Sequence, residues 1–177
     1  TQLLIDDSPA MRVSFDGSPP AADLRYFRAY VMWNFDGRSW RHLDDRHAWP
    51  RPPEPIEVAS SIQYQISLQP TQQRVLPTLD VPLQAPAQAR LQPDREVMAD
   101  KPVNDQLSYQ LRSALRYRLQ PVLDERSQRL GLRLPAGFNP RTLALAAQWR
   151  ERYGSDNAAI VQAALNLFHD GGFRYPL

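Results

Sequence analysis

Before residue 120 apolar and polar residues alternate in several stretches with a period of two, and after residue 139 the period lengthens to about 3.6. Residues 11–15 alternate in this way and run into Asp16, Gly17, Ser18, Pro19 and Pro20, which predicts a short strand ended by a loop. Residues 26–35 are rich in aromatic and β-branched types and stop at Asp36 and Gly37. A strand is expected there, followed by a tight hairpin and an antiparallel return over 38–43. Prolines 50, 52, 53 and 55 predict an extended connector over 49–55. Residues 60–69 put Ile62, Tyr64, Ile66 and Leu68 on one face and Ser61, Gln63, Gln65 and Ser67 on the other, the pattern of a half-buried strand. Residues 74–90 read as short strands broken by Pro77, Pro82 and Pro86. These belong at edges or bulges, because proline has no N–H to give to a ladder.

The longest alternation covers 106–120, with Leu107, Tyr109, Leu111, Leu115, Tyr117 and Leu119 on one parity, interrupted only by Ser113. A helix would align the leucines but scatter Tyr109 and Tyr117, so a long half-buried strand is predicted. At Asn139 the signals become helical: Asn139 as cap, Pro140 at the first position, Leu143, Ala146 and Ala147 at helical spacing, and Gly154 as the stop. Ser155 or Asp156 caps a second helix with an apolar stripe of Ile160, Ala163, Ala164, Leu167 and Phe168, ending before Gly171 and Gly172. An extended segment is expected from Phe173 onward, and a chain ending there reads as truncated. The predicted fold class is α+β: a mostly antiparallel, sandwich-like β-domain over 1–138, then an αα-hairpin over 139–177 that opens a second domain.

Composition narrows the function. A charged fraction of 23% and a hydrophobic fraction of 42% in 177 residues are those of a globular protein. A formal charge of +2 is too small for the footprint of phosphate-backbone binding, so nucleic acid is not the expected partner. Proline, at 17 residues, is about twice its average usage. The chain contains no cysteine, which excludes disulfides, thiolate metal sites and a cysteine nucleophile within it. No apolar run is long enough for a membrane span, and the first residues lack the basic start and apolar stretch of a signal peptide.

Few residues carry candidate chemistry. His42, Asp44, Asp45 and His47 are the one local cluster of metal-ligating types, but without a ligand spacing motif, and a polar hairpin end accounts for them more simply. No metal or cofactor is therefore expected. His169 and Asp170 invite a dyad reading, yet sequence neighbours diverge on a helix, and a histidine near a helix C-terminus is favoured by the dipole. Arg112, Arg116 and Arg118 share one strand parity and form a candidate face for an anionic ligand, or simply a solvated sheet face. Among the aromatics Tyr26, Tyr30, Trp33, Phe35 and Trp40, a carbohydrate platform competes with core packing, and Trp33, Phe35 and Trp40 are read as structural.

The order of these signals resembles one family. The segment Trp33-Asn34-Phe35-Asp36-Gly37-Arg38-Ser39-Trp40-Arg41 is similar to the region preceding the catalytic core of bacterial membrane-anchored transglutaminase-like proteins. Asn139-Pro140-Arg141-Thr142, the helix over 157–168 and Phe173-Arg174-Tyr175-Pro176-Leu177 resemble the two helices and first extended segment that open that core. Between residues 50 and 137 the likeness is one of β-rich, proline-punctuated character. The resemblance implies a periplasmic region of an inner-membrane-anchored protein and a papain-like core with a Cys-His-Asp triad. The triad's cysteine falls beyond the last residue of this chain, and its histidine and aspartate follow that cysteine, so no catalytic residue carries over. The implied role is that of a non-catalytic scaffold or recognition portion of a protein-glutamine acyl-transferring cysteine enzyme, whose partners are the remainder of the core and a protein or peptidoglycan substrate. The alternative reading is an autonomous carbohydrate- or peptidoglycan-binding β-module.

Overall fold

The computed structural model describes residues 9–42, 56–119 and 125–173. The chain divides into two compact units, one of residues 1–34 and 40–132, the other of residues 35–39 and 133–177.

The first unit is built on a four-stranded antiparallel sheet. Strand β1 (Met11–Phe15) pairs with β5 (Ile56–Leu68), β5 with β11 (Leu107–Leu119), and β11 with β8 (Val81–Pro82). A second sheet has the order β6 (Val75–Leu76), β10 (Val97–Ala99), β9 (Ala89–Leu91), again antiparallel. Strand β2 (Phe27–Arg28) pairs with β7 (Thr78–Leu79), and β3 (Asn34–Phe35) with β4 (Trp40–Arg41). The architecture is α+β and mostly antiparallel. The core lies between the sheets: Tyr64, Ile66 and Leu68 of β5 and Tyr109 and Leu111 of β11 meet Leu76, Leu79, Val97, Ala99 and Val103. Ile66 is fully buried. Pro82 sits on the edge strand β8, where a missing N–H costs no ladder bond.

The alternation predicted for 60–69 is the observed burial pattern of β5, and the strand starts earlier, at Ile56. The connector 49–55 and residues 174–177 lie outside the described residues. In β11 the alternation holds through Ser113 and then fails. Register shifts between Ala114 and Arg116 and between Arg116 and Tyr117 leave Leu115 extra on β11 and Ala59 extra on β5, after which the pairing is restored. Consequently Tyr117 and Leu119 are exposed rather than in the core. Ser113, the apparent flaw in the apolar parity, is fully buried, and its Oγ lies 2.9 Å from the Tyr64 hydroxyl. That hydroxyl also accepts the Leu79 N–H at 2.8 Å. Burial pushes the Tyr64 phenol above its usual pKa.

The single strand expected over 26–35 is interrupted: β2 ends at Arg28 and β3 begins at Asn34. The reason is a side chain, since the Val31 N–H donates to Glu96 Oε1 at 3.1 Å instead of to a ladder carbonyl. The turn closes one residue further along than expected: the Asp36 N–H donates to the Ser39 carbonyl at 3.2 Å across Gly37 and Arg38. Asp36 Oδ1 accepts the N–H groups of Arg38 at 2.9 Å and Ser39 at 2.8 Å, and only Gly37 of the Asp-Gly pair has positive φ, at 102°. A type I′ turn needs positive φ at both. Helix α1 (Glu125–Gly131), within this unit, has no counterpart among the predicted elements.

In the second unit, α2 (Pro140–Tyr153) and α3 (Asn157–Asp170) pack as a helical hairpin. Asn139 does not cap α2 through its side chain: it is left-handed, with φ 53°, and its carbonyl accepts the Leu143 N–H at 3.0 Å. A side-chain cap goes with a β-region backbone at the cap residue, and the left-handed backbone of Asn139 departs from it. Asp156 does cap α3, accepting the Ala159 N–H at 3.0 Å. The half-buried side of α2 is Leu145, Trp149 and Tyr153, whereas Leu143, Ala146 and Ala147 are exposed. On α3, Ile160, Ala163, Ala164 and Leu167 are half-buried, and Phe168 is exposed. No described residue of α2 or α3 is fully buried.

Candidate functional site

The densest polar constellation of the first unit joins the arms of the β3–β4 hairpin to the turn between β9 and β10. Glu96, just before β10, is 1% exposed and uses both carboxylate oxygens. Oε1 accepts the Val31 N–H at 3.1 Å, and Oε2 lies 2.6 Å from His42 Nε2. Burial pushes the Glu96 carboxyl above its usual pKa, against the opposing pull of His42 and the Val31 N–H, with Asp94 adding to the rise. Asp94 accepts the Trp33 indole N–H at Oδ2 (2.8 Å) and the Glu96 N–H at Oδ1 (3.2 Å). Tyr30 packs edge-on to the His42 ring at 6.5 Å and donates its hydroxyl to Gln73 Oε1 at 3.0 Å. Three of the four carboxylate oxygens thus hold the hairpin arms, and the fourth, Asp94 Oδ1, ties the turn to itself. The arrangement is a latch, with no nucleophile at its centre.

A second cluster lies near the far end of β11. Arg28 Nη1 donates to the Asp80 carbonyl at 3.1 Å, and the Tyr117 hydroxyl donates to Asp80 Oδ2 at 3.2 Å. Buried Arg95 donates to the Pro82 carbonyl at 3.2 Å. Burial, and then the positive charge of Arg28, lowers its pKa. The first unit also carries two surface clefts. One of about 320 Å³ is lined by Ser14, Asp16, Gln63, Gln84 and Gln110 with Tyr64 and Leu111; a larger one of about 810 Å³ runs along residues 99–110.

Of the candidates read from the sequence, His42 is tied to Glu96, while Asp44, Asp45 and His47 lie outside the described residues. Among the described residues no group of three or more histidines and carboxylates could hold a metal ion. His169 and Asp170 are both exposed, with Nε2 and Oδ1 4.0 Å apart, too far for a dyad hydrogen bond. Arg112, Arg116 and Arg118 are all exposed, but the two register shifts fall between Arg112 and Arg118, so strict parity does not carry across them. Arg112 Nε donates to Ser61 Oγ at 2.9 Å. Trp33 and Phe35 are half-buried, and Trp40 is 58% exposed. Glu96 and Asp94 went unnoticed in the sequence because the run Pro93-Asp94-Arg95-Glu96 looks like a solvated turn. Its one signal is a carboxylate directly abutting the buried Val97 strand.

The family profile for the TgpA N-terminal domain matches residues 2–120. The chain belongs to that family. A curated relative, a protein-glutamine gamma-glutamyltransferase of Pseudomonas aeruginosa, is 32% identical over 174 residues, which is 95% of this chain and 25% of the relative. The chain therefore spans about a quarter of that protein's length. The crystal structure of the periplasmic domain of TgpA from Pseudomonas aeruginosa superposes with a TM-score of 0.79 at 30% identity, covering 94% of this chain and 57% of that one. The same domain bound to ethylmercury gives 0.77 at 28% identity, covering 89% and 55%. These matches reach beyond residue 120 into the helices, so the likeness to the TgpA periplasmic domain extends past the segment that the family profile covers. No described helix is long and apolar enough to cross a membrane.

Proposed function

We propose that this chain is the non-catalytic scaffold and recognition portion of a periplasmic, membrane-anchored, protein-glutamine acyl-transferring cysteine enzyme. One observation carries the reading: 95% of the chain aligns with a glutamine γ-glutamyltransferase while the chain holds no cysteine at all. Acyl transfer from a glutamine carboxamide by this class of enzyme needs a thiolate to form the acyl intermediate, with a histidine base and an orienting carboxylate. The nucleophile thus belongs to another part of the parent protein, and this portion supports the core that bears it. The reading is tested by incubating the chain, and separately the parent protein, with a glutamine-donor peptide and a primary amine. Amine incorporation is expected with the parent alone; incorporation by the chain would overturn the assignment.

A second reading, a peptidoglycan-binding module, is favoured by the exposure of Tyr26 at 65% and Tyr30 at 47% on neighbouring segments of the first unit. Retention of the chain on insoluble peptidoglycan, lost in Tyr26→Ala and Tyr30→Ala, would support it.

A further inference from the structure

Strand β1 is the edge of the four-stranded sheet, and among the described residues its only strand neighbour is β5. Its register and flanking bonds fix which backbone groups are used. The Asp16 N–H donates to the Gln63 carbonyl at 2.9 Å, and the Gln69 N–H to the Ala10 carbonyl at 3.0 Å. Arg12 pairs with Ser67 and Ser14 with Gln65 between those two points. In an antiparallel ladder alternate residues exchange bonds with one neighbour, so the even-numbered residues of β1 serve β5. Met11, Val13 and Phe15 point their N–H and C=O groups outward along the open edge. No proline or bulge interrupts residues 11–15, and the one charged side chain in that span, Arg12, lies on the face opposite Met11, Val13 and Phe15.

The outward set is symmetric about Val13. We propose that β1 is a self-association edge, on which a second copy of this chain docks through its own β1, antiparallel and about a two-fold axis at Val13. Val13 then faces the partner subunit's Val13, and Met11 faces the partner subunit's Phe15. Each of these opposed pairs exchanges two N–H to O=C bonds, which uses every outward group of residues 11, 13 and 15. The side chains agree with this pairing. Met11, Val13 and Phe15 are partly buried residues packed on the core, and the pairing runs one apolar face into another. On the opposite face Arg12 meets the partner subunit's Ser14, so no two arginines are directly opposed. A foreign strand would have to supply the same alternation; a second copy supplies it by construction. One five-residue strand buries less than the about 1,200 to 2,000 Å² of a stable interface, so the association is weak and concentration-dependent.

Amide hydrogen exchange on the whole 177-residue chain tests the proposal. Between roughly 20 µM and roughly 1 mM, a range suited to so small an interface, exchange at Met11, Val13 and Phe15 is expected to slow about tenfold, a factor that corresponds to about 1.4 kcal/mol. Arg12 and Ser14, already bonded to β5, stay unchanged. Val13→Pro removes an outward N–H while sparing the β5 ladder, and should abolish both the protection and the rise in mass by sedimentation equilibrium. Should that variant fail to fold, Val13→Cys decides: opposed Cα atoms about 5.5 Å apart lie within disulfide range, so oxidation should yield a covalent dimer where a Ser18→Cys control does not. A mass independent of concentration would overturn the proposal. So would association that leaves the three amides exchanging freely, as contact through α3 would, and so would equal cross-linking of the control.

Discussion

Glu96→Ala is the most informative perturbation of the latch. The substitution removes both acceptor oxygens at once: Val31 N–H loses its partner at 3.1 Å, and His42 Nε2 its partner at 2.6 Å. An unsatisfied buried group costs about 1 to 3 kcal/mol, and His42, one-third exposed, recovers part of its loss from water. Against this, the variant no longer buries a carboxylate. The expected net loss is about 2 to 3 kcal/mol, which lowers the midpoint of thermal unfolding by about 5 to 10 °C in a domain of this size. Glu96→Gln should cost less than half as much, because its amide oxygen still accepts from Val31 and its amide N–H can donate to a neutral His42. The two variants also separate in pH. Burial raises the folded-state pKa of Glu96, so between the unfolded value and the raised one the native state holds a proton that the unfolded chain has released. That contribution is fully present below the unfolded pKa and is lost as pH rises through the folded one. His42 and Asp94 are the titratable groups facing the carboxyl, and both remain in Glu96→Gln, so the difference between wild type and this variant reports Glu96 together with its coupling to His42. Urea melts of both proteins from the acid side of that window to neutral pH should show wild type losing stability relative to Glu96→Gln. A relative gain would mean that attraction to His42 outweighs burial, and the reasoning would be refuted.

The buried Tyr64 hydroxyl makes a second case: Tyr64→Phe leaves the Leu79 N–H and Ser113 without that oxygen and should cost about 2 to 4 kcal/mol, against about 1 kcal/mol for Ser113→Ala, as read by chemical denaturation. Equal costs for the two would remove Leu79 from the account. Trp40→Ala, at a 58% exposed ring, should cost about 1 kcal/mol or less, well short of the about 3 to 5 kcal/mol of a buried tryptophan. A loss in the larger range would place the ring in a packed environment.

Local pattern determined much of this protein. The alternation over 60–69 became the buried Tyr64, Ile66 and Leu68 of β5, because a pleated strand with one apolar face has one way to turn toward a core. Asp156 started α3 and Gly154 ended α2 for reasons confined to a single turn of backbone. The lack of cysteine settled, without any structure, that no thiol chemistry resides here. What the sequence left undecided depends on partners distant along the chain. Val31 lies 65 residues from Glu96, and the carboxylate that takes its N–H breaks a strand whose propensity alone runs from 26 to 35. Leu115 and Ala59 become bulges through the pairing of β11 with β5, which carries Tyr117 and Leu119 out of a core their parity assigned them to. Ser113 reads as an error in a hydrophobic stripe until Tyr64 is brought 2.9 Å away. Periodicity records which face of an element is apolar. Only the assembled fold decides which polar groups must be buried, and a buried polar group overrides local preference because leaving it unpaired costs more than bending the strand that can pair it.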